Sequence, residues 1–485
     1  MLFTRWHGGS FLGEKKAQVL ASIDDVFAEQ KRYSLKLRES NYRERLAVLE
    51  RFEKVFKSSY EELYAAAFED FSKTSSEVDV TEILPIVSEL KFVKKNLKRW
   101  MRAERVLPTP MLFGTSSKIV AEPRGVCLIV SPWNYPFNLT FCPMILALAA
   151  GNTVILKPSE MTPSMSAVIV SIVTSVFDKK EVAIFEGDSD VAEYLTSLSF
   201  DHIFFTGSPN IGKKVMASAA KNLSSVTLEL GGKSPVIVDD TAHLMSAAEK
   251  IVFGKFCNNG QTCIAPDHLY VNNAIYDEFM TRLGDSLQRQ YGPSEKLYEN
   301  PDYCRIVNDT HFKRLEHLLD DALKQGAELL AGGRVCRKQR FMEPTLLTNL
   351  SSGCALMHEE IFGPILPIIR YGAIEAVLKE INERPKPLAL YIFSNDRDFQ
   401  NKVVRETSAG DTCINQIAIH FLHEKLPFGG VNNSGLGKTG GKWGFDTFSH
   451  KRSILNDRFT PSTLLTPPYK QPMRSIIRGF IRYFF

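Results

Sequence analysis

GVCLIVSPWNYPFNLTFCPMILALAAGNTVILKPSE, residues 125–160, decides the fold. A short β-rich run, GVCLIV, breaks at Ser131-Pro132. A helical stretch, PMILALAAG, follows, and a second β-rich run, NTVILKP, closes the unit. The pattern continues through SAVIVSIVTSVF, EVAIFEG, HIFFTG and IGKKVMASAAK. Alternation of strands and helices of this kind predicts an α/β fold with a doubly wound parallel sheet. Ligands of such sheets bind beyond the carboxyl ends of the strands, and three polar motifs stand there: SPWN, KPSE and FTGS.

Upstream, the first hundred residues read as helices. Leu46, Leu49, Phe52, Val55 and Phe56 recur near helical spacing, as do Ile83, Leu84, Val87, Leu90 and Phe92. Amphipathic helices covering the sheet are expected. Downstream, a second α/β unit starts near residue 229 with ELGGKSPVIVDD. It carries a helix over 242–257 and strands in HLYV, PTLLTNL, PILPIIR and LALYIFSND. TPMLFGTSSKIVAEP (109–123) reads as an excursion of extended chain, and FDTFSHKRSILN (445–456) as a partner for it. The Pro-rich stretch 461–472 reads as an extended arm.

Bulk properties bound the function. A single core stops growing near roughly 250–300 residues, so 485 residues predict two large domains and a small appendage. The net charge of +4 arises from 59 basic and 55 acidic side chains. This balance argues against a nucleic-acid binder, which needs a basic stripe. Eight scattered cysteines show no CxxC pair and no zinc-ligand spacing, so neither a disulfide scaffold nor a metal is expected. The N-terminus has no apolar signal-peptide run, and no stretch is long and apolar enough to span a bilayer. A cytoplasmic protein is expected.

Six short segments carry candidate chemistry, and each also has a plain structural reading. Cys263, in FCNNGQTCIAP, follows Gly260 and Gln261 in a polar loop whose amides can stabilise a thiolate. A lone cysteine is otherwise a small buried hydrophobe. Cys257, on the preceding helix, is read as packing. Glu229, in VTLELGGKSP, sits in an apolar run. Burial would raise its pKa and make it a base for water, or it caps a helix. Gly231 and Gly232 would let another chain segment or a ligand approach closely. Asn134, in SPWNYPF, can donate its amide to an oxyanion or simply form a turn.

The remaining three concern a dinucleotide. In FTGSPNIG a strand ends at Thr206, Gly207 and Ser208, and a helix opens near Pro209 with Gly212 in its first turn. Free helix amides suit a pyrophosphate, although the motif is not GxGxxG and a plain β–α turn reads equally well. Lys157 and Glu160, in ILKPSE, can grip a ribose or form a loop ion pair. Glu360 and Phe362, in HEEIFGP, can hold a second ribose and support a nicotinamide ring. They also read as a helix-start carboxylate and a core phenylalanine.

Together SPWNYPF, LKPSE, FTGS, LELGGKSP, GQTCIAPD, EEIFGP and PFGGVNNSGLG resemble the aldehyde dehydrogenase superfamily, in order over about residues 20–455. NYPFNLT, CIAPDHLYV, KPLALYIFS and FDTFSHKRS resemble its class 3 branch, which includes fatty aldehyde dehydrogenases. The resemblance implies a Rossmann-type NAD(P)-binding domain over 1–108 and 124–228 and a catalytic domain over 229–430. It further implies a bridging, oligomerising β element from 109–123 and 431–456, a C-terminal arm over 457–485, and a homodimer. It implies Cys263 as nucleophile, Asn134 and the Cys263 backbone N–H as oxyanion donors, and Glu229 as base. Lys157 and Glu160 would contact the adenosine ribose, Thr206, Gly207, Ser208 and Gly212 the pyrophosphate region, Glu360 the nicotinamide ribose and Phe362 the nicotinamide. The resemblance further implies NAD or NADP as cofactor and a small-molecule aldehyde, medium to long aliphatic or aromatic, as substrate, with water expected as the acyl acceptor.

The chain departs from the branch at Asn432, where glycine is usual. Asn tolerates positive φ better than most residues. The chain also starts about twenty residues earlier than many class 3 relatives. MRSIIRGFIRYFF (473–485) places Arg474, Arg478 and Arg482 on one helical face, a basic amphipathic pattern. It reads as a peripheral membrane contact, a gate on the substrate funnel or a helix docked on protein. Two rivals remain. One passes the acyl group to CoA, which retention of Glu229 disfavours. The other is a non-catalytic scaffold, which the joint presence of Cys263, Asn134 and Glu229 disfavours.

Overall fold

The computed structural model describes residues 8–109, 112–459, 466–469 and 471–484. Within them, Val126–Val130 and Thr153–Lys157 lie side by side and parallel, with Val130 opposite Lys157. The helix Pro136–Ala150 connects them and ends at Gly151, whose φ of +89° terminates it in the left-handed region. Both strands are buried along their whole length. This is why they read as continuous apolar runs: a parallel sheet is covered on both faces.

The six-stranded sheet has the order Gly435–Leu436, Ser225–Glu229, His202–Thr206, Val126–Val130, Thr153–Lys157, Val182–Ile184. All neighbours are parallel except the short edge Gly435–Leu436. From Val126–Val130 the chain winds outward to Val182–Ile184, then returns to His202–Thr206 on the other side. The switch point therefore lies between Val126–Val130 and His202–Thr206, and a ligand crevice opens at their carboxyl ends. One face is covered by the early helices and Pro136–Ala150, through Phe52, Phe56, Leu97 and Phe141. The other packs against Ile23, Leu195 and Val215 from Gly8–Leu37, Ser189–Ser197 and Pro209–Ala220. The amphipathic helices expected at the N-terminus cover the sheet as anticipated.

A seven-stranded sheet forms the second unit, in the order Glu328–Ala331, Thr345–Thr348, Ile365–Tyr371, His268–Asn272, Pro235–Val238, Ala389–Phe393, Asp411–Ile414. Only its edge Glu328–Ala331 is antiparallel. All four strands expected from sequence are present, and the expected helix spans Leu244–Phe256.

Thr115–Pro123 pairs antiparallel with Ser449–Asp457 over nine residues, and Glu104–Val106 completes a three-stranded sheet. The two extended segments thus pair, with three differences from the boundaries read off the sequence. Glu104–Val106 belongs to this sheet rather than to the helical region before it. Residues 445–447 close a short helix, Gly441–Thr447, so the strand begins at Ser449. Gly435–Leu436 joins the edge of the six-stranded sheet instead. There the backbone of Ser225–Glu229 needs partners that its sheet interior cannot supply, and Leu230 N–H extends the pairing by donating to the Ser434 carbonyl at 3.1 Å. Asn432 has a φ of +55°, the conformation that tolerance of asparagine allows. Half of the arm expected at 461–472 lies outside the described residues, and its last two, Gln471 and Pro472, already belong to a helix. The basic segment forms the helix Gln471–Phe484, with Arg474, Arg478 and Arg482 exposed.

Candidate active site

Three strand ends of the six-stranded sheet meet at the crevice. Val130 leads into Ser131 and Asn134, while Thr206 lies opposite Glu229 in register. Gly207 N–H donates to the Glu229 carbonyl at 3.0 Å, which turns the chain into the next helix. Ser208 caps that helix, Pro209–Ala220, accepting from Ile211 N–H at 3.4 Å. Gly212 brings the helix start against the sheet: a Cβ there would stand 2.7 Å from the Leu230 side chain. The capped helix start thus sits directly at the switch point, the geometry that receives a pyrophosphate. At the next strand end the almost fully buried Lys157 donates to Glu160 at 2.7 Å, and the Glu160 side chain remains half exposed. A buried ammonium with a single carboxylate partner suits hydroxyl groups of a ribose. The residues present therefore fit a nicotinamide dinucleotide.

Cys263 stands on the loop after Leu244–Phe256. The loop begins with Asn258 and Asn259, both left-handed at φ +52° and +57°. Each is tied down. Asn258 Nδ2 donates to the Asn134 carbonyl at 2.9 Å and to the Gln261 carbonyl at 3.1 Å. Asn259 Nδ2 donates to the Cys304 carbonyl at 2.6 Å. The Gln261 side chain donates to Asn258 and Arg305 carbonyls and accepts from Val307 N–H. Asn134 Nδ2 donates one hydrogen to the Gln261 carbonyl at 3.1 Å, which fixes its carboxamide beside the loop. Tyr135 OH and Thr262 Oγ1 lie 2.7 Å apart. Asn134 and Cys263, distant in sequence, are thus brought together.

Two carboxylates face this loop. Glu229 is buried at its strand end, and neither carboxyl oxygen has a hydrogen-bond partner. Burial pushes its pKa well above the usual range, which the Lys438 ammonium opposes and Asp411 reinforces. Glu360 lies against Gly231, where any side chain would overlap its carboxylate, and burial lifts it to about 8. The close approach expected at the two glycines is therefore made by Glu360 at Gly231 and by the Pro387–Leu388 backbone at Gly232. Burial pushes the Cys263 thiol up to about 12, with Glu360 and then Glu229 adding to the rise, while the backbone N–H groups of Cys263 and Ile264 oppose it. Phe362, at φ +48°, meets Trp133 edge to face with ring centres 5.3 Å apart.

Several supporting groups were not singled out in the sequence. Lys233 forms an ion pair with Asp267 and also donates to the Leu356 and Glu359 carbonyls at 2.7 and 2.8 Å, while Asp267 accepts from Ile361 N–H at 2.9 Å. Together they anchor the segment bearing Glu360 and Phe362. Both lie inside the quoted motifs LELGGKSP and CIAPD, so a buried-charge argument had the material to find them. Lys438, which donates to the Gly410 and Gly429 carbonyls, had no such signal.

Cys263, Glu229 and Thr206 line one cavity, whose wall is otherwise mostly apolar, with Leu139, Phe253, Ile264 and Phe428 among the lining residues. Cys257 also lines it. Cys257, expected on the preceding helix, instead follows the end of Leu244–Phe256, and it packs into the cavity wall.

A dinucleotide-type crevice that opens onto a buried thiol and an apolar cavity is the arrangement of a nicotinamide-dependent oxidoreductase. The chain belongs to the aldehyde dehydrogenase family, whose family model matches residues 9–454. It is an enzyme that oxidises aldehydes with NAD or NADP. It is 43% identical to 4,4'-diaponeurosporen-aldehyde dehydrogenase of Staphylococcus aureus, covering 88% of this chain and 92% of the relative. It is 38% identical to the dimeric NADP-preferring aldehyde dehydrogenase of Rattus norvegicus, over 88% and 94% of the two chains. The solved structure of the substrate-bound state of Staphylococcus aureus AldH superposes with a TM-score of 0.90 at 41% identity, covering 94% of this chain and 99% of that one.

Proposed function

We propose that the enzyme converts medium to long aliphatic or aromatic aldehydes to carboxylic acids through a thioester on Cys263, with water as the acyl acceptor. One observation carries the reading: Cys263 and Glu229 share the wall of a single, predominantly apolar cavity. An apolar wall stabilises an apolar tail by about 25 cal/mol per Å² removed from water. A relative named for a diaponeurosporen aldehyde is consistent with a large apolar substrate.

The deprotonated Cys263 sulfur adds to the aldehyde carbon. The oxygen would accept hydrogen bonds from the second Asn134 Nδ2 hydrogen and the Cys263 backbone N–H, donors of the kind worth about 3 kcal/mol each to such a transition state. Nicotinamide, when bound, would supply the hydride acceptor, and loss of hydride from the same carbon would leave a thioester on the Cys263 sulfur. Glu229, once ionised, takes a proton from water, whose oxygen attacks the thioester. The carbon–sulfur bond breaks, and the acid leaves. A carboxylate lifted by burial is a stronger base than an exposed one, which suits this step. Lys157 and Glu160 would hold the adenosine ribose and the Thr206–Ser208 turn with Gly212 the pyrophosphate. Glu360 would turn to the nicotinamide ribose, and Phe362 would support the ring.

The experiment is reduced-nicotinamide absorbance with NAD or NADP and aldehydes from acetaldehyde to hexadecanal plus benzaldehyde, without CoA. Turnover that rises with chain length, and that Cys263→Ala abolishes while cofactor still binds, is expected. Turnover only with CoA would instead make the enzyme acylating.

The reading includes a homodimer, by analogy with the dimeric rat relative, with the three-stranded sheet as its bridging element. It also includes a peripheral contact of the helix Gln471–Phe484 with an anionic bilayer. Among the described residues no helix is long and apolar enough to cross a membrane. Loss of liposome co-sedimentation on deleting 473–485 is the expected result, and unchanged sedimentation would remove the contact.

A further inference from the structure

Behind the Cys263 loop lies a set of charged groups that the proposed chemistry does not use. Lys73, just after the helix Tyr60–Phe71, is fully buried, and its ammonium has no hydrogen-bond partner. Its nearest carboxylate is the equally buried Glu82, 4.0 Å away. It sits over two rings instead, Phe71 at 5.0 Å and Tyr135 at 4.8 Å. Glu77, on the short helix Ser75–Val78, accepts from Asn258 N–H at 2.8 Å and faces the Cys257 thiol at 3.7 Å.

These contacts converge on the same few atoms. Glu77 holds the first left-handed residue of the loop by its backbone. Asn258 in turn grips the Asn134 and Gln261 carbonyls. Lys73 lies against the Tyr135 ring, and Tyr135 reaches Thr262, the residue before Cys263. A non-glycine residue at positive φ costs on the order of 1–3 kcal/mol and persists only where its surroundings hold it. Two occur in succession here. Burying an ammonium is also costly, and what offsets the cost for Lys73 is the Glu82 and Glu77 carboxylates and the faces of Phe71 and Tyr135.

We propose that Glu77 and Lys73 are positioning residues that hold the Asn258–Asn259 turn from behind and thereby aim the Asn134 carboxamide and the Cys263 thiol at one point. Glu77 does this through its hydrogen bond to Asn258. Lys73 compensates the carboxylates of Glu77 and Glu82 and braces Tyr135. Neither side chain lines the cavity. The inference rests on the nucleophile and oxyanion roles proposed above.

The test is the pre-steady-state burst of reduced nicotinamide with decanal, which reports formation of the thioester. Misplacing reacting groups by about 1 Å can cost on the order of a hundredfold. Glu77→Ala is expected to slow the burst by about tenfold to a hundredfold and to leave cofactor affinity, read by fluorescence titration, within twofold. Glu77→Gln keeps an oxygen that accepts from Asn258 N–H and is expected to restore the burst to within about threefold of wild type. A folded Glu77→Ala enzyme with the wild-type burst rate overturns the proposal, as does a Gln variant no better than Ala. Should Glu77→Ala not fold, Asn258→Gly decides. It keeps positive φ without strain but lacks the amide that grips Asn134, so a slowed burst is expected and an unchanged one overturns the proposal. Cys263→Ala separates the two levels. A burst that survives it breaks the nucleophile assignment. A burst that it abolishes, yet that Glu77→Ala leaves unchanged, breaks only the positioning role.

Discussion

The loop carrying Cys263 and the strand end carrying Glu229 face one cavity but are held in opposite ways. In the loop, Asn258, Asn259 and Gln261 are fully buried, and the side-chain amides of all three are bonded to backbone carbonyls. At the strand end, the Glu229 carboxyl is buried but receives no hydrogen bond from the protein. The difference follows from what each must do. A nucleophile and its oxyanion donors gain from a geometry fixed before substrate arrives, since no reorganisation is then needed in the transition state. A base must exchange a proton with water, and a carboxyl saturated by protein donors would be too acidic to take one.

The most damaging way to break this comparison is to remove the base. Glu229→Gln keeps the shape but cannot take a proton, and general-base catalysis contributes about 10²–10⁴-fold. Steady-state turnover is expected to fall within that range, while the burst of reduced nicotinamide persists and acyl-enzyme accumulates, as mass spectrometry of the quenched enzyme would show. A variant with normal turnover and no acyl-enzyme would mean that the unpaired carboxyl serves another purpose.

A smaller effect sharpens the comparison from the loop side. Only the thiolate reacts with iodoacetamide, and the Cys263 thiol is held near 12 by burial and then by Glu360 and Glu229. Below that value the thiolate fraction rises with pH, so Cys263 alkylation in the free enzyme is expected to accelerate continuously from pH 7 to 10 without a plateau. At pH 9, above the value of about 8 for Glu360, that carboxylate is ionised and opposes the thiolate. Glu360→Gln removes the opposing charge and is expected to speed alkylation about threefold, as a shift of half a pKa unit would. Peptide mapping of the alkylated cysteine provides the rate. A plateau near pH 8 would mean that burial does not hold the thiol up, and no change in Glu360→Gln would place Glu360 away from the thiol.

The doubly wound sheet was legible because a strand buried on both faces must be apolar throughout. GVCLIV and NTVILKP satisfy that with no knowledge of their neighbours. The cofactor turn was legible only as one of two readings, since Thr206, Gly207 and Ser208 form the same β–α turn whether or not anything binds there. The bridging strand was misplaced by four residues because FDT and SHK have similar local character. Packing decides that Gly441–Thr447 closes a helix against Trp100 and Leu146 before the strand begins. Glu360 illustrates a different limit. Its chemistry was visible in HEEIFGP, but its place over Gly231 depends on two segments well over a hundred residues apart.

By itself the sequence determined the α/β class, the order of strands along the chain and the residues able to carry chemistry. Periodicity, turn formers and side-chain type are local properties. Only the tertiary structure decided that Glu229 and Cys263 share one cavity wall, that Asn134 is tied to the Cys263 loop, that no protein group donates to the Glu229 carboxyl, and that Glu77 bonds the loop at Asn258. Burial and hydrogen bonding between residues far apart in the chain set both the pKa of an acid and the aim of a donor, and neither exists until the sheets have packed.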